Sequence, residues 1–453
     1  MRPGRTAAPS SAAAWLGLAV LTSAMILSAI DRQILILITE PLKRSLALSD
    51  TDVGLLNGLA ITLVSAAATY PMGMLADRFD RRRLLAVCIL LWSLAAALCG
   101  LARSFGGLFA CSMGIAIGEA VLGPISYSLI ADLFPRERWI IANYVFYLGN
   151  VLGGAAGLAL SGAAVGFAAT HRDIIPGALF GPEPWRLAML IVALPGPLIA
   201  IAVLAMRTRR SAKTTAATLP AMGAYLRAHA ATLVGVFLGF GFSAAAYATL
   251  STWVLIGLTR NFGQSAVQVG ARYGLVLAVA SLAGVLLSGQ LIRMLRSRFG
   301  ELVLLRVAQA GVAVAAMLML MLLYVRTPAQ VYVAQLAITI PLIVAISVSP
   351  TFLQNIAPGA YRARVIAMGG LVYVVLNAVT PIAVGMISDS GFGRSNGLYP
   401  SMLVIALPCA LAGVALLELA SRTLADTFAA AREHDQADEE DANIYRGIVE
   451  SPA

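Results

Sequence analysis

The chain has 453 residues, of which 59% are hydrophobic and only 12% charged, and its mean hydropathy is +0.85. That composition excludes a soluble globular protein and a disordered chain and describes a polytopic membrane protein. The net charge of +10 does not point to a nucleic-acid partner, because its arginines are gathered in short loops on one side of the predicted chain path.

Apolar windows of about 20 residues, each able to cross a hydrocarbon core of about 30 Å, recur along nearly the whole length. Twelve are predicted, at about 13–39, 53–75, 84–102, 106–131, 139–165, 186–206, 230–257, 268–291, 302–325, 331–354, 364–388 and 399–421. Residues 1–12 precede the first. Arg2 and Arg5 give it the look of a signal peptide, but its length and its Asp31 and Arg32 predict a retained helix. Alternate loops carry Arg78, Arg81, Arg82, Arg83, Arg136 and Arg138, then Arg293, Arg296, Arg298, Arg362 and Arg364; the opposite loops hold only a few, such as Lys43, Arg44 and Arg260. This asymmetry places both termini in the cytoplasm of a plasma membrane, with a bacterial inner membrane expected from the Arg-rich, Lys-poor composition. Cys88, Cys99, Cys111 and Cys409 fall inside predicted helices without metal-ligand spacing and read as apolar fillers.

A repeat organises these windows. GMLADRFDRRRLL (73–85) follows the second and GQLIRMLRSRFGELVLL (289–305) the eighth; FPRERW (134–139) and APGAYRAR (357–364) form a weaker pair. The expected fold class is an all-α membrane protein with twelve transmembrane helices in two six-helix pseudo-symmetric halves, 13–206 and 229–421. The basic connector 207–228 joins them, and the acidic tail 422–453 is expected to be solvated and partly disordered from about residue 425.

An ionisable group near the bilayer centre costs roughly 2.5–3.5 kcal/mol on insertion scales, so deep charges are informative. Asp389 and Glu418 lie close enough to helix ends to snorkel. Asp31, Arg32 and Glu119 remain, and they are the candidate proton-coupling group. Gly118, Gly123 and Pro124 flank Glu119 and suit a bent, cavity-lining helix. Asn57, Tyr127, Asn150, Tyr247, Thr252, Trp253, Gln335, Tyr373 and Asn377 are candidate cavity residues, each also able to serve as an interhelical hydrogen bond.

The loop GMLADRFDRRRLL resembles the signature loop of the major facilitator superfamily, G-x-L-a-D-r-x-G-r-[RK], through Gly73, Leu75, Asp77, Arg78, Arg81 and Arg82, with Asp80 in place of the second Gly. The resemblance implies a latch between the halves on the cytoplasmic side, formed by Gly73, Asp77, Arg78, Arg81 and Arg82. Asp31-Arg32 together with Gly118-Glu119-Ala120, Pro124, Asp132, Phe134 and Pro135 resembles the Spinster-like branch. Relatives there place an Arg seven residues before the Glu, where this chain has Ser112, which leaves Arg32 as the counter-ion of Glu119. LGNVLGGAAGLALSG (148–162) is similar to the superfamily's antiporter motif, with Gly154 where that motif has Pro.

The branch resemblance implies a lysophospholipid or sphingoid phosphate as substrate; the residues fit equally an amphiphilic drug or small organic anion, or a non-transporting sensor. The partners expected are the bilayer, protons and the substrate, with the chain a monomer. An enzyme is not expected: His171, His229 and His434 lack an acidic partner in an H-x4-D arrangement, and no zinc, phosphate-loop or nucleophile-elbow motif occurs. No cofactor is expected, the proton gradient being the energy source.

Overall fold

The computed structural model describes residues 11–135, 138–171, 183–206, 220–358 and 362–433. Twelve apolar helical crossings account for nearly all of them. The first, α1, is Ser11–Leu37, and α2 covers 50–78 with a π-helical stretch at Leu56–Leu63. Next come α3 (Arg81–Cys99), α4 (105–133, in two pieces), α5 (Trp139–Thr170) and α6 (184–205). The second half holds α7 (Ala230–Phe262), α8 (Ala266–Phe299), α9 (Val303–Met319), α10 (328–355, in two pieces), α11 (Arg362–Asp389) and α12 (Leu398–Ser421). Length and hydropathy pick out 11 stretches, but Ala266–Leu323 has 58 residues and contains both α8 and α9. Outward-facing Leu198, Leu275 and Met294 are largely exposed, as residues that face hydrocarbon are.

Each half has its own core. Trp92, Phe146 and Trp185 are fully buried in the first, and Trp253, Tyr273 and Phe352 in the second. Two expectations need correction. The segment 289–299 is not loop: α8 carries Arg293, Arg296 and Arg298 on two further turns, because Gly289 is accommodated inside the helix and no proline interrupts it before Gly300, which turns the chain at φ +52°. The tail is not wholly solvated, since 424–433 is helical and buries Leu424, Thr427, Phe428 and Ala431. Those positions recur at helical spacing and form an apolar stripe, which composition alone conceals. Residues 434–453 and most of the connector lie outside the described residues.

The halves meet at the face opposite the arginine-rich one. There α2 crosses α11 so closely that a Cβ on Gly58 would lie 2.0 Å from the Ala378 carbonyl oxygen, and one on Gly385 would lie 2.3 Å from that of Asp50. On the other side of the seam, α5 and α8 pack through Gly270 and Gly274 against the carbonyls of Leu158 and Ala155. Small residues bring helix backbones together where lipid supplies no hydrophobic drive. Gly58→Val therefore cannot keep this crossing. Spin labels on α2 and α11 should show the opposite-face ends of the two helices further apart in the variant, and unchanged distances would refute the steric argument.

Toward the arginine-rich face the halves separate. A cavity of about 830 Å³ lies between α2, α4 and α11, lined by Thr69, Gly73, Arg81, Pro124, Ser128 and Met368 among others.

Candidate functional site

The deep charges sit where a helix is interrupted. Helix α4 runs as Phe105–Glu119 and Leu122–Leu133, and the break at Val121 (φ −85°, ψ −17°) precedes Pro124, whose ring removes a backbone donor and crowds the preceding turn. Its counterpart in the other half, α10, breaks at Val348 (φ −83°, ψ −17°) just before Pro350. Proline-interrupted helices at matching positions of two repeats mark the midplane site of many transporters. Glu119 ends the first piece of α4 and is thereby held at that break.

Arg32 Nε donates to Glu119 Oε2 at 2.8 Å. The Glu119 side chain is 1% exposed, whereas that of Arg32 is 51% exposed, so one edge of the guanidinium is engaged and the rest is open. Adjacent Asp31 is buried in the first half with the Trp92 indole as its neighbouring donor, and neither of its carboxylate oxygens makes a hydrogen bond of ordinary geometry among the described residues. Glu119 Oε1, near Ser28, and the hydroxyl of fully buried Ser112, near Cys99, likewise make no hydrogen bond of ordinary geometry. Two carboxylates thus lie near one guanidinium, which pairs with Glu119 alone. The arrangement can hold a proton and can exchange which carboxylate the guanidinium neutralises.

The other polar candidates divide. Tyr247, Tyr373 and Asn377 are partly buried on the C-terminal half, with Asn377 Nδ2 donating to the Tyr373 carbonyl at 2.7 Å. Asn57 donates to the Val53 carbonyl at 3.0 Å, and Thr62 Oγ1 to that of Asn57 at 2.8 Å, so these side chains serve the π-helical stretch. Tyr127 is 45% exposed and meets Phe146 edge-on. Trp253 and Thr252 are buried in the second half's core in this conformation, Trp253 completely and with its indole Nε1 making no hydrogen bond among the described residues. Gln335 is also fully buried and donates to Thr339. The Asn150 side chain lies outside the described residues.

Sequence reasoning missed a second cluster, at the face opposite the arginines. Arg260, in the last turn of α7, grips Asp50 with both terminal nitrogens (2.8 and 2.6 Å) and reaches Glu40 through Nε at 2.8 Å. Asp50 also accepts from Lys43 and, at 2.5 Å, from Ser388 Oγ. Asp389, at the end of α11, accepts from the Asp50 and Thr51 backbone amides (3.0 and 2.7 Å) and from Thr51 Oγ1 (2.7 Å), capping α2 from the other half. Asp389 therefore has a structural task beyond the snorkelling expected of it, and Glu418 pairs with Arg306 and Gln309. The signal available in sequence was the unusual run Asp50-Thr51-Asp52 opening an apolar segment.

The signature loop engages only its own half among the described residues. Arg81 pairs with Asp132 of α4 at 3.5 Å and Arg82 donates to the Met206 carbonyl. Gly73 borders open space and Arg78 is exposed, while the Asp77 side chain lies outside the described residues. Asp80, where the pattern has Gly, caps α3 by accepting from the amides of Arg82 and Arg83 at 3.0 and 3.2 Å. Burial works to raise its carboxyl, but the Arg83 amide and the Arg82 guanidinium hold it below the ordinary value. The cap is therefore complete above the ordinary carboxylate range and is lost as pH falls through the lowered value. Asp80→Ala should cost about 1 kcal/mol of stability and Asp80→Asn much less, read as shifts in unfolding temperature; equal losses would contradict the capping role.

The comparisons agree with this architecture. Over 386 residues (83% of this chain and 85% of the relative) the chain is 28% identical to an MFS-type efflux pump of Mycolicibacterium smegmatis. It is 28% identical over 251 residues to the mouse sphingosine-1-phosphate transporter SPNS2, a match covering 53% of this chain and 43% of that protein. Its fold is similar to crystal structures of a bacterial homologue of the human lysosomal transporter Spinster, inward-facing and unoccupied, with TM-score 0.72, 23% identity, and 94% and 98% of the two chains covered. The model of the Major Facilitator Superfamily matches residues 21–379, and with its paired six-helix halves and interrupted fourth and tenth helices the chain belongs to that family.

Proposed function

We propose that the chain is a proton-coupled transporter of an amphiphilic, lipid-like substrate of the lysophospholipid or sphingoid phosphate type, working by alternating access. The observation that carries this reading is the Arg32–Glu119 pair at 2.8 Å beside the buried Asp31, which makes no ion pair among the described residues, at the break in α4. With Arg32 committed to Glu119, the buried Asp31 carboxyl has no cation of its own, and it is the group of the three that carries the proton in this reading. When the halves rock and Arg32 turns toward Asp31 or toward an anionic head group, the proton leaves on the other side. The open edge of the Arg32 guanidinium suits a phosphate or carboxylate head, and the cavity between α2, α4 and α11, which Arg32 itself does not line, has apolar walls that suit a tail.

With the arginine-rich face as the cytoplasmic one, the separated signature loop and the closed Arg260–Asp50–Asp389 cluster correspond to an inward-facing state. The likeness to SPNS2 supports a lipid substrate, and the likeness to an efflux pump supports a second reading, export of an amphiphilic drug. Uptake of labelled lysophospholipid, sphingoid phosphate, a cationic dye and a sugar into proteoliposomes separates them. The lipid reading expects saturable movement of the first two that Glu119→Gln abolishes; movement of the dye or the sugar alone would refute it.

A further inference from the structure

The two halves differ at one pair of corresponding places on the arginine-rich face. In the first half the loop arginine faces a carboxylate, Arg81 on Asp132, three residues before Pro135 at the end of α4. In the second half the matching position, three residues before Pro358 at the end of α10, is Asn355. The same half also lacks the counterpart of Asp80: α9 is preceded by Leu302, with no side-chain cap. Aligning Arg298-Phe299-Gly300-Glu301 with Arg78-Phe79-Asp80-Arg81 puts Glu301 where the first half has Arg81, so the Arg81–Asp132 pair has no counterpart here and the one carboxylate at this place is Glu301.

A cavity of about 580 Å³ occupies this place, between the ends of α8, α9 and α10 and the helix 424–433. Arg296, Glu301, Thr351, Asn355, Phe428 and Arg432 line it. Glu301 pairs with Arg432, both side chains being more than half exposed. Arg296 makes no ion pair among the described residues, and exposed Asn355 and Thr351 bring an amide and a hydroxyl to the lining of the same cavity. We propose that this cavity binds a phosphate group, with Arg296 as its principal ligand and Asn355 and Thr351 as supporting donors. A planar guanidinium fork matches phosphate oxygens, and a cavity of this size at a membrane surface admits a glycerophosphate as well as a bare anion. The phosphate can come from an anionic lipid head group or from a free phosphate compound, and this site is distinct from the Arg32–Glu119 centre.

The test is thermal unfolding of the purified full chain titrated with glycerol 3-phosphate, and separately in neutral-lipid nanodiscs with increasing phosphatidylglycerol. A saturable rise of a few degrees is expected. A rise with phosphatidylglycerol alone assigns a lipid source, and a rise with both assigns the phosphate itself. Arg296→Ala and Asn355→Asp should each weaken the apparent affinity about tenfold or more, the second by restoring the carboxylate of the first half, while Asn355→Ala should weaken it less. No rise with either ligand, or a rise that Arg296→Ala and Asn355→Asp leave intact, overturns the proposal.

Discussion

Arg260→Ala is expected to shift the conformational equilibrium away from the state described here by roughly 30- to 150-fold. Arg260 joins α7 to Asp50 with two hydrogen bonds and to Glu40 with a third, across the seam between halves. Removing one partner of a buried ion pair costs about 3–5 kcal/mol. Arg260 is a quarter exposed, and solvent screening brings the expected loss to about 2–3 kcal/mol, which sets the ratio above. The loss falls on this conformation alone, because separating α7 from the 40–50 region breaks these contacts in any case. Distances between spin labels on the opposite-face ends of α1 and α7 should lengthen and broaden in the variant. Asp389→Ala should act in the same direction by uncapping α2, and the two effects should not add fully, since both act through the Asp50 segment. Distances unchanged in Arg260→Ala would mean that the glycine crossings of α2 on α11 and α5 on α8 close this face unaided.

Asp31→Asn is expected to abolish accumulation against a gradient while sparing exchange. The amide is nearly isosteric with the neutral acid, so the buried pocket keeps its packing, but no proton can leave it. Gradient-driven uptake should fall to the level of passive equilibration, whereas counterflow with substrate on both sides should stay within a few-fold of the parent protein. Glu119→Gln differs because it strands the Arg32 guanidinium, so both modes should fail. If Asp31→Asn retained pH-driven accumulation, the proton would have to travel through another group.

These contrasts show what was legible in the sequence. Helix α4 was readable because Gly118, Gly123 and Pro124 sit beside a charge that lipid penalises, and interruption follows from residue chemistry within one segment. The cluster around Arg260 was not, because the contacts that join its two halves span 210 to 339 positions and each partner, taken singly near a helix end, looks like a snorkelling side chain. Trp253 and Thr252 were placed in the cavity since polar edges inside α7 give no sign of which face turns inward; this helix is apolar on all sides, so rotation is fixed only by its neighbours. The helix 424–433 was hidden by the acidic residues that follow it, although Leu424, Phe428 and Ala431 carry the pattern. The loop GMLADRFDRRRLL identified the superfamily, yet motif residues alone do not say in which conformation a latch is engaged.

Proton movement driven by substrate is the most direct test of the coupling group. Proteoliposomes holding a trapped pH-sensitive dye, without an imposed gradient, would receive lysophospholipid or sphingoid phosphate on one side. The account predicts a saturable pH change in the parent protein and none in Asp31→Asn, with labelled substrate still exchanging in that variant. Substrate movement by the parent protein with no accompanying proton flux would contradict the role given to Asp31, Arg32 and Glu119.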